Sequence, residues 1–411
     1  MVINMKKSVM PDEARELMLS ITTPELETET VALVSAYGRV LAVDIYAVIA
    51  IPPFDRSPFD GYAFRGEDSL SASEANPVTF TITEEIPAGA VPAIDITEGF
   101  AAKILTGAPI PRGADTTIKY EQTEFTDTTV TLRKPKAAGS DVVYAGDDVA
   151  LGELAARRGD VVTPAAVGLF ASLGFTEIPV YKRPRAAIIN TGTELVEPGN
   201  PLPFGKIYNS SVFSLIGALA ELGIEAYNAG CVRDDADEIA AAIELNYPLC
   251  DAIITTGGAS VGDYDYSIAA SEKLGAEILF WKTKLKPGGA MVASDFRGKL
   301  ILALPGNPGS ALMTISQIAK PFLFRLAGRR DITLQAIEVF LKEPFTATSG
   351  RVRMMRGRLE IIGGKAYFAQ HGVQGGNALS SFATCDLLAE FPAESPELPA
   401  ETKILAYKYG L

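Results

Sequence analysis

The stretch AIITTGGASVGDYDYSIAASEKLG, residues 252–275, contains the pattern that decides the fold. A short apolar run predicts a buried strand, two adjacent glycines end it, and residues 264–275 predict a helix. The same order of strand and helix recurs across residues 182–328. This alternation is typical of a parallel sheet covered by helices on both faces, which binds ligands beyond the carboxyl ends of its strands.

The flanking regions have a different pattern. Residues 51–140 contain short runs such as VTFTITEEI and predict a β-rich insertion, and residues 329–411 predict a small C-terminal barrel or sandwich. Residues 1–50 and 141–181 predict a helical/linker domain on either side of the insertion. We therefore predict a multidomain chain of α/β plus β-rich class, with its α/β domain at residues 182–328.

The composition excludes several classes of protein. A net charge of −13 argues against a general nucleic-acid binder, which needs a basic surface. No apolar stretch is long enough to span a membrane, and the N-terminus does not resemble a secretory signal. The three cysteines are scattered, which favours reduced thiols in the cytoplasm over a disulfide or zinc framework. The single histidine, His371, makes a histidine-rich metal site impossible.

The junction GGASVG, residues 257–262, leaves three interpretations open. Its G-x-S-x-G pattern fits a nucleophile elbow with Ser260, but the only histidine available to a triad, His371, lies in the C-terminal β region. The glycines also suit a bare turn. Alternatively, Gly257 and Gly258 let the backbone approach an anion at the start of the following helix.

A second junction, LPGNPGSA, favours the anion site. Pro305 ends a buried strand, Asn307 can cap the following helix, and Pro308 suits the first helical position. Gly309 and Ser310 then present N–H and O–H groups at the positive end of the helix, which attracts an anion.

Between the two junctions lies WKTKLKPGGA, residues 281–290. Its three lysines, Lys282, Lys284 and Lys286, alternate, so in a strand they share one face. The pattern is typical of either a solvated edge or, beside two glycine-rich junctions, a phosphate-binding surface.

Four further polar residues have ordinary structural explanations when each is taken alone. Asp60 belongs to an Asp-Gly hairpin signal, and Thr106 to a Pro/Gly loop. Glu194 follows a strand end, where it caps a turn or faces a ligand, and Asp234 fits a helix N-cap.

Taken together, these segments resemble the molybdopterin molybdenumtransferase family, which includes MoeA and the E domain of gephyrin. The resemblance rests on the order of GRVLAVDIYAVIAIPPFDRSPFDGYAF, ILTGAPIPRGAD, NTGTEL, TTGGASVGDYDY, WKTKLKPG and LPGNPGSA. It implies an elongated homodimer with a cleft between subunits. It also implies a reaction in which adenylylated molybdopterin and molybdate give molybdenum-loaded cofactor and AMP, with Mg²⁺.

The resemblance also assigns roles to residues. It implies catalytic Asp60, Glu194, Asp234 and Asp265, of which Asp234 and Asp265 hold the metal ion. The substrate-binding set, in which the two glycine-rich junctions join the residues matched by motif, is Thr106, Gly257, Gly258, Ser260, Lys282, Lys286, Pro305, Gly306, Asn307, Pro308, Ser310 and Arg356.

Three positions depart from the family pattern. Val143 stands where arginine is usual, Gly289 where lysine is usual, and Gly376 where serine is usual. A non-catalytic pterin-binding or scaffolding relative therefore remains an alternative, as does a serine hydrolase that uses Ser260.

Overall fold

The computed structural model of the chain describes residues 6–257, 266–346, 350–394 and 397–409. Its elements form an N-terminal region, an inserted β-sheet, an α/β domain and a C-terminal barrel. The N-terminal region begins with β1 (Lys6–Val9), α1 (Pro11–Leu19), β2 (Thr28–Ala32) and β3 (Ile45–Tyr46).

The insertion is a sheet of six strands in the order β7-β4-β6-β5-β9-β8, as the β-rich pattern predicts. Its strands are β4 (Gly61–Phe64), β5 (Val78–Ile86), β6 (Phe100–Ile104), β7 (Thr116–Lys119), β8 (Glu124–Phe125) and β9 (Thr129–Leu132). Buried Tyr62, Phe64 and Phe80 form a core on one face of this sheet, and Ile86 and Ile104 belong to a second core.

The chain then returns to the N-terminal region through β10 (Leu154–Ala156), α2 (Pro164–Ser172) and β11 (Glu177–Tyr181). β10 pairs with β3, and β11 pairs with β2, both antiparallel. Thr163 caps α2 by accepting a hydrogen bond from the backbone of Ala166 at 3.1 Å.

The α/β domain is built on a seven-stranded sheet in the order β1-β17-β19-β20-β16-β12-β15. The strands of this domain after β1 are β12 (Arg185–Thr191), β13 (Leu195–Val196), β14 (Ile207–Tyr208), β15 (Glu225–Val232), β16 (Ala252–Thr256), β17 (Glu277–Thr283), β18 (Leu285–Lys286), β19 (Val292–Phe296) and β20 (Lys299–Leu304). Three of them lie outside the seven-stranded sheet: β13 and β14 form a separate short pair, and β18 links the domain to the C-terminal barrel. Its helices are α3 (Ser211–Glu221), α4 (Ala236–Asn246), α5 (Tyr266–Leu274), α6 (Pro308–Thr314) and α7 (Lys320–Leu326), the last two joined by a π-helical turn at Ile315–Ala319.

The sheet is mixed, whereas the sequence predicts a parallel one. β20, β16, β12 and β15 run parallel as predicted, but β17 and β19 add two antiparallel pairings. Residues alternate between the two faces of the central strands: Ile188 packs in the core shared with α3, and Ile189 in the core shared with α4.

The first strand and helix lie against this domain and not in a separate N-terminal unit. β1 pairs in parallel with β17, and buried Ala14 and Met18 of α1 belong to the main core of the α/β domain. The part of residues 1–50 that the structure describes is therefore divided between two regions, because the apolar face of α1 packs against the helices after β20.

The C-terminal region is a closed five-stranded barrel, in agreement with the prediction. Its strands are β21 (Ala336–Leu341), β22 (Val352–Ile362), β23 (Lys365–Gln370), β24 (Leu387–Phe391) and β25 (Lys403–Lys408). The ring closes because β22 pairs with both β23 and β24, and β18 of the α/β domain adds to β22 in parallel. Within the described residues, no helix has the length and apolar character needed to cross a membrane.

Candidate functional site

Three parallel strands, β12, β16 and β20, end side by side and bring both glycine-rich junctions together. Gly257, just after β16, donates a hydrogen bond to Leu304 O at 3.2 Å. Two features exclude a side chain at Gly257: its φ is +89°, and a Cβ would lie 2.5 Å from Thr191 O. A Cβ at Gly306 would lie 3.5 Å from the Gly257 Cα, so these two glycines lie close to each other.

A cavity of about 290 Å³ opens at these strand ends, and we call it the carboxylate cavity. Four of the predicted site residues line it: Glu194, Gly306, Asn307 and Pro308. Pro308 occupies the first turn of α6 as predicted, but Asn307 forms no side-chain capping hydrogen bond. Its exposed amide is therefore available to a ligand in the cavity.

Several polar residues of this cavity were not identified from the sequence. Thr191, Thr256, Ser210 and Ser211 also line it, together with Asn209. Asn209 is 1% exposed, and its Oδ1 has no hydrogen-bond partner among the described residues. Asn209 and Ser210 directly precede α3, where polar residues usually cap a helix, but the Ser210 side chain forms no capping hydrogen bond. A buried acceptor without a partner favours a donor supplied by the ligand.

Asp234 does not cap the following helix. The neighbouring Asp235 is the N-cap of α4, because its Oδ1 accepts hydrogen bonds from Asp237 N at 2.9 Å and Glu238 N at 3.0 Å. The Oδ1 of Asp234 instead accepts a hydrogen bond from the hydroxyl of Thr191 at 2.8 Å. The ordinary explanation of Asp234 as a helix cap is thus wrong, and its carboxylate lies beside the carboxylate cavity.

The carboxylates of this region produce a negative field. Partial burial raises the pKa of the Cys231 thiol, and the charges of Glu194, Glu197 and Asp234 raise this pKa further. Among the described residues, no group of three His, Cys, Asp or Glu side chains is arranged to hold a metal ion. Asp265, the other predicted metal ligand, lies outside the described residues, as do Gly258 and Ser260.

The lysine-rich segment is not one regular strand. Lys282, near the end of β17, has a φ of +69° and lies half-buried, with its ammonium 4.0 Å from the centre of the Trp281 ring. Lys284 donates through its backbone to Val9 O, and its carbonyl accepts from Val352 N. Lys286 follows in β18 with an exposed side chain. The segment therefore links the α/β sheet to the barrel and presents its cations near that junction.

On the barrel side of this junction, consecutive backbone carbonyls connect α6 to Arg356. Ser310 N donates to Gly376 O at 2.9 Å, while Arg356 Nη2 donates to Gly375 O at 3.0 Å and to Val373 O at 2.9 Å. A Cβ at Gly376 would lie 2.3 Å from Ser310 Oγ, so a serine at this position would require the Ser310 hydroxyl to turn away.

Arg356 is a buried cation that the described residues do not neutralise. It is fully buried, and its Nε and Nη1 have no hydrogen-bond partner within the described parts of the chain. Burial lowers the pKa of its guanidinium, which lies 4.7 Å from the centre of the Phe382 ring. An unpaired buried charge is costly, so this site favours an anionic ligand.

Asp60 and Thr106 form a separate pair on the insertion. Asp60 precedes β4, Thr106 follows β6, and one carboxylate oxygen accepts from Thr106 N at 2.7 Å and from Thr106 Oγ1 at 2.8 Å. These two hydrogen bonds, the backbone one first, lower the pKa of Asp60. Both side chains are exposed, so the pair is available to another surface.

The histidine required by a serine hydrolase has a local partner. His371 Nε2 lies 2.8 Å from Thr384 Oγ1, in the loop after β23. Ser260, the nucleophile that this hypothesis requires, lies outside the described residues.

Gly289, which replaces the lysine usual in the family, is required by the local backbone. A Cβ there would lie 2.5 Å from both Thr283 O and Leu285 O, and Gly289 O accepts from Thr283 N at 2.9 Å. We predict that Gly289→Lys lowers the free energy of unfolding by about 1–3 kcal/mol, because the backbone must move. Urea unfolding measures this change. Gly168→Lys is the control, because a Cβ at Gly168 meets no atom within 4 Å. Equal stability of Gly289→Lys and wild type would contradict the prediction.

The fold and the site define an α/β protein with a candidate anion site between its strand ends and a C-terminal barrel. Residues 9–174 match the family described as MoeA N-terminal region (domain I and II), and residues 187–325 match the family described as probable molybdopterin binding domain. A molybdopterin molybdenumtransferase from Staphylococcus aureus (strain MSSA476) is 34% identical over 367 residues, which cover 89% of this chain and 87% of the relative. A molybdopterin molybdenumtransferase from Bacillus subtilis (strain 168) is 33% identical over 370 residues, covering 89% and 86%.

Solved structures agree. A molybdopterin biosynthesis moeA protein from Pyrococcus horikoshii OT3 superposes with a TM-score of 0.84 at 30% identity, covering 98% of this chain and 100% of that chain. The chain belongs to the MoeA family, the family of the molybdopterin molybdenumtransferases.

Proposed function

We propose that the chain is a molybdopterin molybdenumtransferase, which takes molybdate and adenylylated molybdopterin and releases AMP. Membership in the family supports a role in molybdenum cofactor biosynthesis and a transferase activity. The observation that carries the finer proposal is Arg356, a buried guanidinium with two unpaired nitrogens beside the start of α6. An oxoanion such as molybdate supplies the acceptors and the negative charge that these nitrogens lack.

The cations and the polar groups of the carboxylate cavity have different proposed roles. Lys282, Lys286 and Ser310 offer charge and hydrogen bonds to the anionic groups of the substrates, while Asn209 and Asn307 offer amide groups on the cavity side. Glu194 and Asp234 orient water or molybdate, and no protein nucleophile is required. Asp60 and Thr106 complete the site from the insertion of a second subunit.

The carboxylates also fit a divalent ion. Beside phosphate groups, carboxylates are unfavourable unless a cation lies between them, and Mg²⁺ prefers oxygen ligands. We assign Asp234 and Asp265 as its ligands, and the ion would neutralise the charge that develops on the phosphates. The fixed Thr191 hydroxyl holds the Asp234 carboxylate in place for this task.

AMP release tests the proposal directly. The purified protein is mixed with adenylylated molybdopterin, with and without molybdate and Mg²⁺, and AMP is quantified. Release that needs both additions supports the transferase. Tight binding of the pterin without AMP release would instead support a non-catalytic relative. This is the second candidate function, because Gly289 and Gly376 depart from the family pattern.

Lys286 is expected to contribute to binding of the adenylylated substrate. Its exposed ammonium would form a charged hydrogen bond, so Lys286→Ala should weaken affinity by about tenfold to a hundredfold. Calorimetric titration measures this effect. Lys284→Ala is the matched control, since Lys284 is also exposed and its backbone hydrogen bonds survive the substitution. Equal losses of affinity in the two variants would indicate that both lysines belong to a solvated edge and that Lys286 has no specific role in binding.

A homodimer is expected, because Asp60 and Thr106 hydrogen-bond to each other on the exposed insertion and not to the carboxylate cavity. Two subunits that exchange insertions would bring this pair to the partner's cavity. Sedimentation equilibrium at micromolar concentration should give twice the mass of the chain. A monomer that turns over at the full rate would contradict the shared site.

A further inference from the structure

A second cavity, of about 730 Å³, lies between α3, the helices after β20 and the C-terminal barrel, and we call it the interdomain cavity. Its walls include Gly217 of α3, Lys320 and Phe324 of α7, Arg329, and Phe382 of the barrel region. This volume falls in the range of small-molecule sites. The proposed transferase reaction assigns no task to it.

Two cations line this cavity. Lys320 and Arg329 are half-buried, and neither forms an ion pair within the described ranges of the chain. They lie over the same aromatic ring, with Lys320 Nζ 5.4 Å and the Arg329 guanidinium carbon 3.7 Å from the centre of Phe324. Burial lowers the pKa of Lys320, and the neighbouring charge of Arg329 lowers it further.

The carboxylates nearby relieve this repulsion only in part: the charge of Asp331 raises the pKa of Arg329 and the charge of Glu221 raises that of Lys320, but both pKa values stay lowered. Asp331 lines the cavity, but its oxygens accept hydrogen bonds from Thr333 and from Gln335 Nε2, the latter at 3.1 Å. Glu221 is exposed at the other side and, in the part of the chain that the structure describes, forms no ion pair with either cation. Because neither cation forms a close ion pair with these carboxylates, the two like charges favour an anion between them.

The remaining walls suit an apolar group attached to that anion. Phe382 and Ile337 supply apolar surface on the barrel side. On the opposite side, Gly217 lies in the middle of α3, where glycine weakens a helix, and a Cβ there would meet no atom within 4 Å. The open space above Gly217 is therefore part of the cavity, and the helix leaves it empty.

We propose that the interdomain cavity binds a phosphate monoester with a planar apolar group, whose phosphate lies between Lys320 and Arg329. Two cations match the charge of a phosphate dianion, and the apolar walls accept the ring. The proposal does not rest on the transferase activity, because the carboxylate cavity and Arg356 take no part in it.

Phenyl phosphate is the probe, and calorimetric titration of the full chain measures its binding. Wild type should bind phenyl phosphate more tightly than inorganic phosphate, which lacks the ring. Lys320→Gln combined with Arg329→Gln should weaken binding by at least about tenfold. Arg330→Gln is the matched control, because Arg330 is the next residue but points to Asp160 at 3.5 Å.

A second variant keeps the test decisive if the double variant folds poorly. Gly217→Leu fills the open space without meeting a neighbour and replaces a poor helix former, so it should fold while losing phenyl phosphate. Lys286→Ala should leave this binding unchanged, which separates it from binding at the proposed transferase site. Absence of binding to wild type, or equal binding to wild type and Gly217→Leu, would overturn the proposal.

Discussion

Asp234→Asn is expected to reduce AMP release by about a hundredfold or more while leaving the fold intact. The substitution keeps an oxygen that can accept from Thr191 Oγ1, now 2.8 Å away, and removes only the negative charge. Without that charge the site loses a proposed ligand of the divalent ion, so the dependence of the rate on Mg²⁺ should weaken as well. Initial rates of AMP release at several Mg²⁺ concentrations measure both effects.

The adjacent aspartate provides a matched control. Asp235→Ala removes the N-cap of α4 and should lower the free energy of unfolding by about 1 kcal/mol, with little change in turnover. The two neighbouring carboxylates thus have opposite expected phenotypes, one catalytic and one structural. If Asp234→Asn turns over at the wild-type rate, or if Asp235→Ala is the inactive variant, the assignment of the metal site fails.

Arg356→Met is expected to weaken molybdate binding by about a hundredfold or more, because the unpaired Nε and Nη1 disappear together with the charge. Stability should change little. The loss of hydrogen bonds to Val373 O and Gly375 O costs about 1.5–3 kcal/mol, and removal of a buried charge offsets this cost. Equilibrium dialysis with molybdate and urea unfolding measure the two quantities separately.

Arg358→Met controls for the loss of a cation from the same strand. Arg358 is exposed and donates from Nε to Thr384 O at 3.2 Å. It should keep wild-type molybdate affinity. If both variants bind molybdate as wild type does, Arg356 is a structural cation and the oxoanion must bind elsewhere.

The sequence predicted those features that depend on local pattern. The alternation of strands and helices, the barrel and the helix start at Pro308 are confirmed because apolar periodicity and the fixed φ of proline act over a few residues. The sequence did not predict the antiparallel pairing of β17 and β19. The alternating lysines suggested one continuous strand, whereas the segment contains the end of β17 and the start of β18, which links to the barrel.

Assignments that depend on contacts between distant segments were harder. Two adjacent aspartates both fit an N-cap, and only the approach of Thr191 from another strand end separates Asp234 from Asp235. Similarly, the sequence near Arg356 is that of an ordinary barrel strand, and its burial follows from packing against the loop that contains Gly375. The roles of these residues at the site stay predictions until the variants are measured.

The position of β1 at the edge of the α/β sheet also affects how the chain reaches its fold. Lys6 pairs with Phe280, so two segments separated by roughly 270 residues must meet before this edge of the sheet is complete. Before this pairing forms, the apolar face of α1 is not packed against the core, and the edge of β17 can pair with other strands. Folding intermediates in which β1 and α1 have not yet docked therefore expose both an apolar helix face and a sheet edge, and docking of this segment removes both sites of aggregation at once.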